Sequence, residues 1–159
     1  MIFLHCRPAD ILTIAEPIEI TFGNSFIKAT PADKFELKVK TEFDNWPGGS
    51  AEISMCVTHE TFRDISFART FAFRSEVEWL IAQGMAQGGS TENALVITPP
   101  DDFSSPLRMP NEWCAHKALD VIGDLALAGK RLSIRVEAVR PGHTINTKLA
   151  TLLAAAAIP

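Results

Sequence analysis

Three acidic or imidazole side chains recur at four-residue intervals in the second half of the sequence, at His116, Asp120 and Asp124. In a helix each step of four residues adds about 40° beyond a full turn, so the three side chains share an arc of about 80°. An imidazole and a carboxylate one turn apart are suitable zinc ligands, and zinc with three protein ligands keeps a fourth position for water. The pair alone is also compatible with a solvated helix face that carries an incidental ion pair.

Two further polar residues stand where reacting groups can be held. His143 follows Gly142 at the expected start of the last helix, and Asp124 could orient its imidazole as a general acid. A surface histidine and a solvated acid explain the same two residues. Thr70 lies in a segment otherwise rich in Phe, where a hydroxyl usually makes a cross-strand hydrogen bond.

The elements that must position these residues begin with strands. Apolar and polar residues alternate over 18–22, 35–39 and 53–57, which predicts strands with one buried face. Gly-Asn at 23–24 and Pro-Gly-Gly at 47–49 supply turns, so we expect antiparallel pairing. A short helix capped by Thr58, a strand over 68–73, a helix over 76–83 and a strand over 93–98 follow, before a proline-rich loop over 99–110.

The longest predicted helix covers about 111–128 and ends at Gly129. Its apolar face is formed by Ala115, Ala118, Val121, Ile122 and Leu125. A strand over 131–139 leads to a last helix that begins near residue 143. The predicted class is α+β, an antiparallel-rich sheet with two main helices packed on one face and a small inserted strand–helix–strand element at about 72–98. We expect residues 1–159 to form one domain.

Composition excludes some function classes. A net charge of −4 argues against duplex nucleic-acid binding, which depends largely on neutralising phosphates with Lys and Arg. No run reaches the roughly 20 apolar residues that a transmembrane helix needs, and residues 1–6 lack the features of a signal peptide, so we expect a cytoplasmic protein. Cys6, Cys56 and Cys114 are odd in number and widely spaced, which predicts reduced, mostly buried thiols.

Several stretches together resemble the family of UDP-3-O-acyl-N-acetylglucosamine deacetylases (LpxC). Residues 68–73 (ARTFAF), 78–80 (EWL) and 88–94 (GGSTENA) look like the core of that family's second domain. Residues 116–129 (HKALDVIGDLALAG) are similar to its zinc helix, and 142–146 (GHTIN) to its catalytic-histidine turn. Order and spacing agree from about residue 8 to about residue 155, and this combination is more specific than any single motif.

The resemblance implies a zinc-dependent amide hydrolase of lipid A synthesis, which removes the acetyl group of UDP-3-O-acyl-N-acetylglucosamine. His116 and Asp120 would be zinc ligands. His143, held by Asp124, would be the general acid or an electrostatic stabiliser, and Thr70 would hydrogen-bond the tetrahedral oxyanion. The implied substrate contacts are Lys117, Phe71, Phe73, Gly89 and Ser90.

The resemblance also implies that the site is incomplete within this chain. The family's third zinc ligand, a histidine, and its general base, a glutamate, belong to an N-terminal domain that the sequence does not include. Without that domain the helix layer faces water, and Leu127 lies close in angle to His116. Large exposed apolar patches usually mark an interface. We therefore expect a partner, either a second copy or a separate N-terminal half, and a UDP-sugar or acyl-sugar ligand.

Three interpretations remain open at this point. The first, which we favour, is half of a deacetylase that needs a partner. It is favoured because the residues suited to the chemistry are all present: Thr70, His116, Asp120, Asp124 and His143. The second is a non-catalytic homodimer that binds sugar nucleotides or acyl chains or acts as a regulator, which the missing ligand and base favour. In such a dimer two His116–Asp120 pairs could meet in a closed four-ligand zinc site. The third is an isolated domain with no function of its own.

Overall fold

The structure is a computed structural model that describes residues 10–156, so the prediction for Cys6 lies outside the described part of the chain. The strands are β1 (Ile11–Leu12), β2 (Ile18–Phe22), β3 (Ser25–Pro31), β4 (Glu36–Thr41), β5 (Ala51–Cys56), β6 (Thr70–Phe73), β7 (Ala94–Thr98), β8 (Asp102–Phe103), β9 (Arg131–Leu132) and β10 (Ile134–Val139). The helices are α1 (His59–Ile65), α2 (Arg74–Ala82), α3 (Glu112–Leu125) and α4 (His143–Ala156).

A five-stranded sheet with the order β2-β3-β10-β4-β5 forms one layer. Its neighbouring strands are antiparallel except for β10 and β4, which run parallel. The alternation in the sequence becomes two faces, because successive side chains of a strand point to opposite sides. Ile27 and Val136 are fully buried on the inner face, whereas Arg135 and Glu36 form an ion pair of 2.7 Å on the outer face.

Helices α3 and α4 form the second layer on the inner face of this sheet. α3 packs over β4 and β5, α4 packs over β2 and β3, and the two helices pack against each other. Leu125, Leu149 and Leu153 are completely buried between the layers. The predicted α+β class, with an antiparallel-rich sheet and two main helices on one face, is confirmed.

The inserted element is a parallel strand–helix–strand unit. β6 and β7 pair in register from Thr70↔Ala94 to Phe73↔Ile97, and β8 adds an antiparallel edge to β7. Helix α2 begins at Arg74, two residues before the predicted start. The reason is that the Glu76 carboxylate accepts a hydrogen bond of 2.9 Å from the Phe73 N–H, so the helix is capped from within its own first turn.

Other boundaries also differ from the prediction. The strand predicted over 131–139 is divided at Ser133, whose N–H donates to Leu12 O (2.9 Å), because β9 pairs with β1 while β10 joins the main sheet. The loop predicted over 99–110 contains β8. α3 ends at Leu125 and continues as a 3₁₀ turn to Gly129, whose φ of 75° is a left-handed conformation that favours glycine.

Candidate active site

His116 lies in the middle of α3, and its two ring nitrogens have different neighbours. Nδ1 is 3.3 Å from the carbonyl oxygen of Ala68, which lies two residues before β6. A carbonyl only accepts hydrogen bonds, so this contact requires a proton on Nδ1, and in the neutral imidazole Nε2 then keeps a free lone pair. Metal-binding histidines in proteins are usually oriented by this kind of backbone contact.

The lone pair of His116 Nε2 faces a second acceptor. Asp120 Oδ1 is 3.4 Å from Nε2, and both side chains are partly buried, at 20% and 13% exposure. Two acceptors at this separation repel each other unless a cation lies with them or the imidazole gains a second proton. An imidazole nitrogen and a carboxylate oxygen are donors that zinc accepts, so the pair fits as two ligands of a zinc site.

Within residues 10–156, no group of three or more His, Cys, Asp or Glu side chains is placed to hold a metal ion. The other oxygen of Asp120, Oδ2, accepts a hydrogen bond of 3.0 Å from Lys117 Nζ. Lys117 therefore offsets part of the carboxylate charge. The described part of the chain supplies two donors where a catalytic zinc site requires three.

The predicted pairing of Asp124 with His143 brings the C-terminal half of α3 to the first residue of α4. His143 Nδ1 donates to Asp124 Oδ2 at 2.9 Å, and the His143 side chain is 71% exposed. Since an ionised carboxylate only accepts, the proton is on Nδ1 and Nε2 points away from Asp124. The imidazole is thus held at one nitrogen and open to a reactant at the other.

Asn146, which the sequence analysis did not single out, supports the same carboxylate. Its Nδ2 donates to Asp124 Oδ2 at 2.9 Å from one turn further along α4. Asn146 is completely buried, and within residues 10–156 its Oδ1 has no hydrogen-bond partner. Burying an amide with one unpaired end costs stability, and the bond from Nδ2 to Asp124 satisfies the other end.

The turn that presents His143 is fixed by Arg140. This residue has a φ of 49°, an uncommon conformation for a long side chain. Ser25 Oγ donates to Arg140 O (2.7 Å), and the guanidinium donates to Asp44 Oδ1 (2.7 Å) and Glu42 Oε2 (3.4 Å). The bond from Arg140 holds the pKa of Asp44 below its ordinary value. These contacts tie the turn to β3 and to the end of β4.

The first residues of β6 lie next to His116. Thr70 is exposed at the start of the strand, two residues beyond Ala68. The Phe71 ring meets the His116 ring edge-on with centroids 6.3 Å apart, and Lys117 Nζ lies 5.7 Å from the centroid of Phe71. The structure therefore groups Phe71 and Lys117 with the proposed ligands.

The other three predicted substrate contacts are one buried ring and two residues of an exposed loop. Phe73 is only 8% exposed and packs edge-on against Trp46 within the core. Gly89 and Ser90 are exposed in the loop before β7, which Asn93 closes by accepting from Ser90 N–H (2.9 Å). The loop returns to the site because Ala94 pairs with Thr70.

A buried ion pair behind this surface was also missed by the sequence analysis. Arg69 and Glu112 are 5% and 0% exposed, and Arg69 Nε lies 2.7 Å from Glu112 Oε1. Burial alone would raise the pKa of Glu112, but hydrogen bonds from the Arg69 side chain and from the Arg69 and Arg108 N–H groups outweigh it and lower the pKa to about 2. The only sign of this ion pair in the sequence was the acidic residue Glu112 at the first position of α3.

The amino-acid sequence of this chain matches a known protein family. Residues 4–155 match the sequence model of UDP-3-O-acyl N-acetylglycosamine deacetylase, LpxC. The chain belongs to this family. The resemblance inferred from the motifs is thereby confirmed.

Curated relatives carry the name UDP-3-O-acyl-N-acetylglucosamine deacetylase. The protein of Phenylobacterium zucineum is 40% identical over 151 residues, which cover 93% of this chain and 51% of the relative. That of Thermosynechococcus vestitus is 38% identical over 148 residues, with coverage of 93% and 51%. That of Nitratidesulfovibrio vulgaris is 36% identical over 147 residues, with coverage of 90% and 47%. The chain spans about half the length of the curated relatives it matches.

Proposed function

We propose that this chain is the half of a zinc-dependent UDP-3-O-acyl-N-acetylglucosamine deacetylase, an enzyme of lipid A synthesis, that carries two of the zinc-binding side chains and the general acid. The observation that carries the proposal is the pair of acceptors, His116 Nε2 and Asp120 Oδ1, facing each other at 3.4 Å on α3. The same helix carries Asp124, the partner of His143 at the start of α4. The contact of His116 Nδ1 with Ala68 O supports the proposal, because it orients the imidazole with Nε2 towards Asp120.

His116 Nε2 and Asp120 Oδ1 would hold the zinc ion. When bound, zinc supplies Lewis-acid polarisation of the substrate's amide carbonyl and activation of water. The proton on His116 Nδ1 keeps the ring in the orientation that leaves Nε2 free. Lys117 limits the negative charge of Asp120 and so moderates how strongly the site attracts cations.

His143 is proposed to carry a proton at Nε2 and to give it to the leaving amine nitrogen. Asp124 stabilises the charged imidazole and holds its orientation through the 2.9 Å bond at Nδ1. The Thr70 hydroxyl is proposed to donate to the oxyanion that develops at the amide carbon. Both groups are exposed, as contact with a substrate requires.

The substrate contacts are proposed from the same surface. Lys117 and the half-buried Phe71 ring would meet the sugar nucleotide, one by charge and one by stacking. Gly89 and Ser90 would border the site from the loop before β7. Phe73 would act through packing, since its ring is buried.

A partner is proposed to complete the site. The remaining half of a family member, attached to this chain or separate, would supply a third zinc donor and a general base. Leu127 and Leu152 are 71% and 40% exposed on the helix layer, and a docking half would cover such apolar side chains.

The test is a deacetylase assay of the chain alone and mixed with the N-terminal half of a family member. Activity is expected in the mixture and is expected to disappear with His116→Ala. His59→Ala serves as the matched control, because that residue is an exposed histidine at the start of α1 and has no proposed role in the site. Activity that survives His116→Ala would contradict the proposal.

Docking through the helix layer has its own prediction. Leu127→Glu is expected to weaken binding of the N-terminal half at least about tenfold, or about 1.4 kcal/mol, by placing a charge in the contact. Ile81→Glu is the control, since Ile81 is 62% exposed but belongs to α2. Titration calorimetry measures both. Equal affinities would show that the helix layer is not the docking surface.

The second candidate is a non-catalytic homodimer that binds sugar nucleotides or acyl chains. It is favoured by the finding that residues 10–156 supply no group of three metal donors. About half a zinc ion per chain, together with a dimer in sedimentation, would support it.

Within residues 10–156 no helix has the length and apolar character to cross a membrane, and a cytoplasmic location stays a prediction.

A further inference from the structure

One peptide group connects the buried ion pair to His116. The Ala68 carbonyl oxygen is the partner of His116 Nδ1 at 3.3 Å, and the N–H of the same peptide, that of Arg69, donates to Glu112 Oε1 at 2.9 Å. A peptide group is planar and rigid, so fixing its N–H also fixes the direction of its C=O. Glu112 and His116 are one turn apart on α3, and the peptide bridges them.

Hydrogen bonds to both carboxylate oxygens fix the orientation of the Glu112 side chain. Its Oε1 accepts from Arg69 Nε (2.7 Å), and its Oε2 accepts from Arg69 Nη2 (2.9 Å) and from the Arg108 N–H (2.8 Å). The remaining guanidinium bonds go to Thr91 O (2.8 Å), Ser105 Oγ (2.6 Å) and Pro106 O (2.9 Å). The bidentate pair therefore leaves the carboxylate one orientation.

The placement of this pair is not explained by stability alone. Replacing a buried ion pair by apolar residues of similar volume is often neutral or stabilising. A buried pair therefore requires another reason, and here the carboxylate faces the peptide that orients an imidazole.

We propose that Arg69 and Glu112 are positioning residues for the metal ligand: they fix the Ala68–Arg69 peptide so that its carbonyl holds His116 as the Nδ1–H tautomer, with Nε2 free. The inference rests on the proposed role of His116 as a zinc ligand. Three hydrogen bonds connect the groups in series: the Arg69 guanidinium to the Glu112 carboxylate, that carboxylate to the Arg69 N–H, and the carbonyl of the same peptide to the His116 imidazole. Loss of the carboxylate acceptor frees the peptide to rotate.

The experiment separates the acceptor from the ion pair. Arg69→Met/Glu112→Gln removes both charges but keeps a side-chain oxygen that can accept from the residue-69 N–H. Arg69→Met/Glu112→Leu removes the charges and the acceptor. The matched control is Arg135→Met/Glu36→Leu, an outer-face pair with the same 2.7 Å separation. The tautomer of His116 is measured by the ¹⁵N shifts of its ring, and zinc affinity by competition with a chelator.

The wild-type chain, the control and the Gln variant are expected to show His116 as Nδ1–H. The Leu variant is expected to show a mixture of tautomers and about 10–100-fold weaker zinc binding, the usual effect of losing an outer partner of a metal ligand. A purely structural role would change the Gln and Leu variants alike. The proposal is overturned if His116 is not Nδ1–H in the wild type, or if the folded Leu variant keeps that tautomer.

If neither double variant folds, Glu112→Asp decides. It keeps the charge but shortens the side chain by one carbon, so the same change of tautomer is expected, and an unchanged Nδ1–H signature overturns the proposal. A wild-type chain that binds no zinc even with the N-terminal half of a family member present would refute the proposed function instead. The tautomer result would still decide whether the pair positions His116.

Discussion

Acidification is expected to destabilise this protein through Glu112. The pKa of this carboxyl is about 2 in the folded chain, against an ordinary value of 4.5. Because the folded-state pKa is the lower one, the unfolded chain binds the proton more readily. The stabilisation is therefore fully present above pH 4.5 and is lost as the pH falls towards 2.

The magnitude follows from the two pKa values. A difference of about 2.5 pH units corresponds to about 3 kcal/mol of folding free energy. At pH 3 the carboxyl is mostly protonated in the unfolded chain and still mostly ionised in the folded one. About 2 kcal/mol is thus lost between pH 7 and pH 3, and the rest below pH 3.

Urea unfolding followed by tryptophan fluorescence measures this loss. Trp46 and Trp113 are 2% and 6% exposed in the core, so their emission reports unfolding, while Trp79 is 60% exposed and adds a constant background. The free energy of unfolding is compared between the wild type and Arg69→Met/Glu112→Leu at each pH, so that contributions from other acids cancel. The difference between the two proteins is expected to change by about 2 kcal/mol from pH 7 to pH 3. A difference independent of pH would refute the assignment of the acid-sensitive group to Glu112.

Three other substitutions have defined outcomes. Asp124→Asn is expected to lower kcat of the completed enzyme by about 100-fold or more with little effect on KM, because the charged form of His143 loses its partner. Steady-state kinetics would then show equal losses in kcat and kcat/KM, whereas a change in KM alone would place Asp124 in binding instead. Gly49→Ala is expected to destabilise the chain by about 1–3 kcal/mol, since a Cβ there would lie 2.2 Å from the Trp46 ring. Gly123→Ala is expected to stabilise α3 by about 0.5–1 kcal/mol, because no atom of residues 10–156 beyond the neighbouring residues and helix backbone lies within 4 Å of the added Cβ. Melting curves that rank the two glycine variants the other way would contradict the packing.

Local periodicity was sufficient to predict much of the site. The spacing of His116, Asp120 and Asp124 places them on one helix face whatever the rest of the fold, because 3.6 residues per turn leave no alternative. The contact of Asp124 with His143 needed more. It depends on α4 packing against α3, which helix periodicity does not determine. The sequence analysis suggested the pairing from the chemistry of the two side chains and from the family resemblance.

The missed residues are those whose role depends on distant partners. Arg69 and Glu112 are 43 residues apart in sequence, and each alone is indistinguishable from a surface charge. Asn146 has the same limitation, since an asparagine in a helix gives no sign of the carboxylate that it meets. Phe73, predicted as a substrate contact from the family pattern, shares the strand face of Phe71, but its ring packs edge-on against Trp46 and is only 8% exposed.

The central claim is that His116 and Asp120 hold zinc. The most direct test is zinc content per chain at metal saturation in the presence of the N-terminal half of a family member, with the wild type, His116→Ala and Asp120→Ala prepared side by side. The account predicts zinc on the wild-type chain that each substitution removes. No zinc on the wild type, or a zinc content that neither substitution changes, would contradict it.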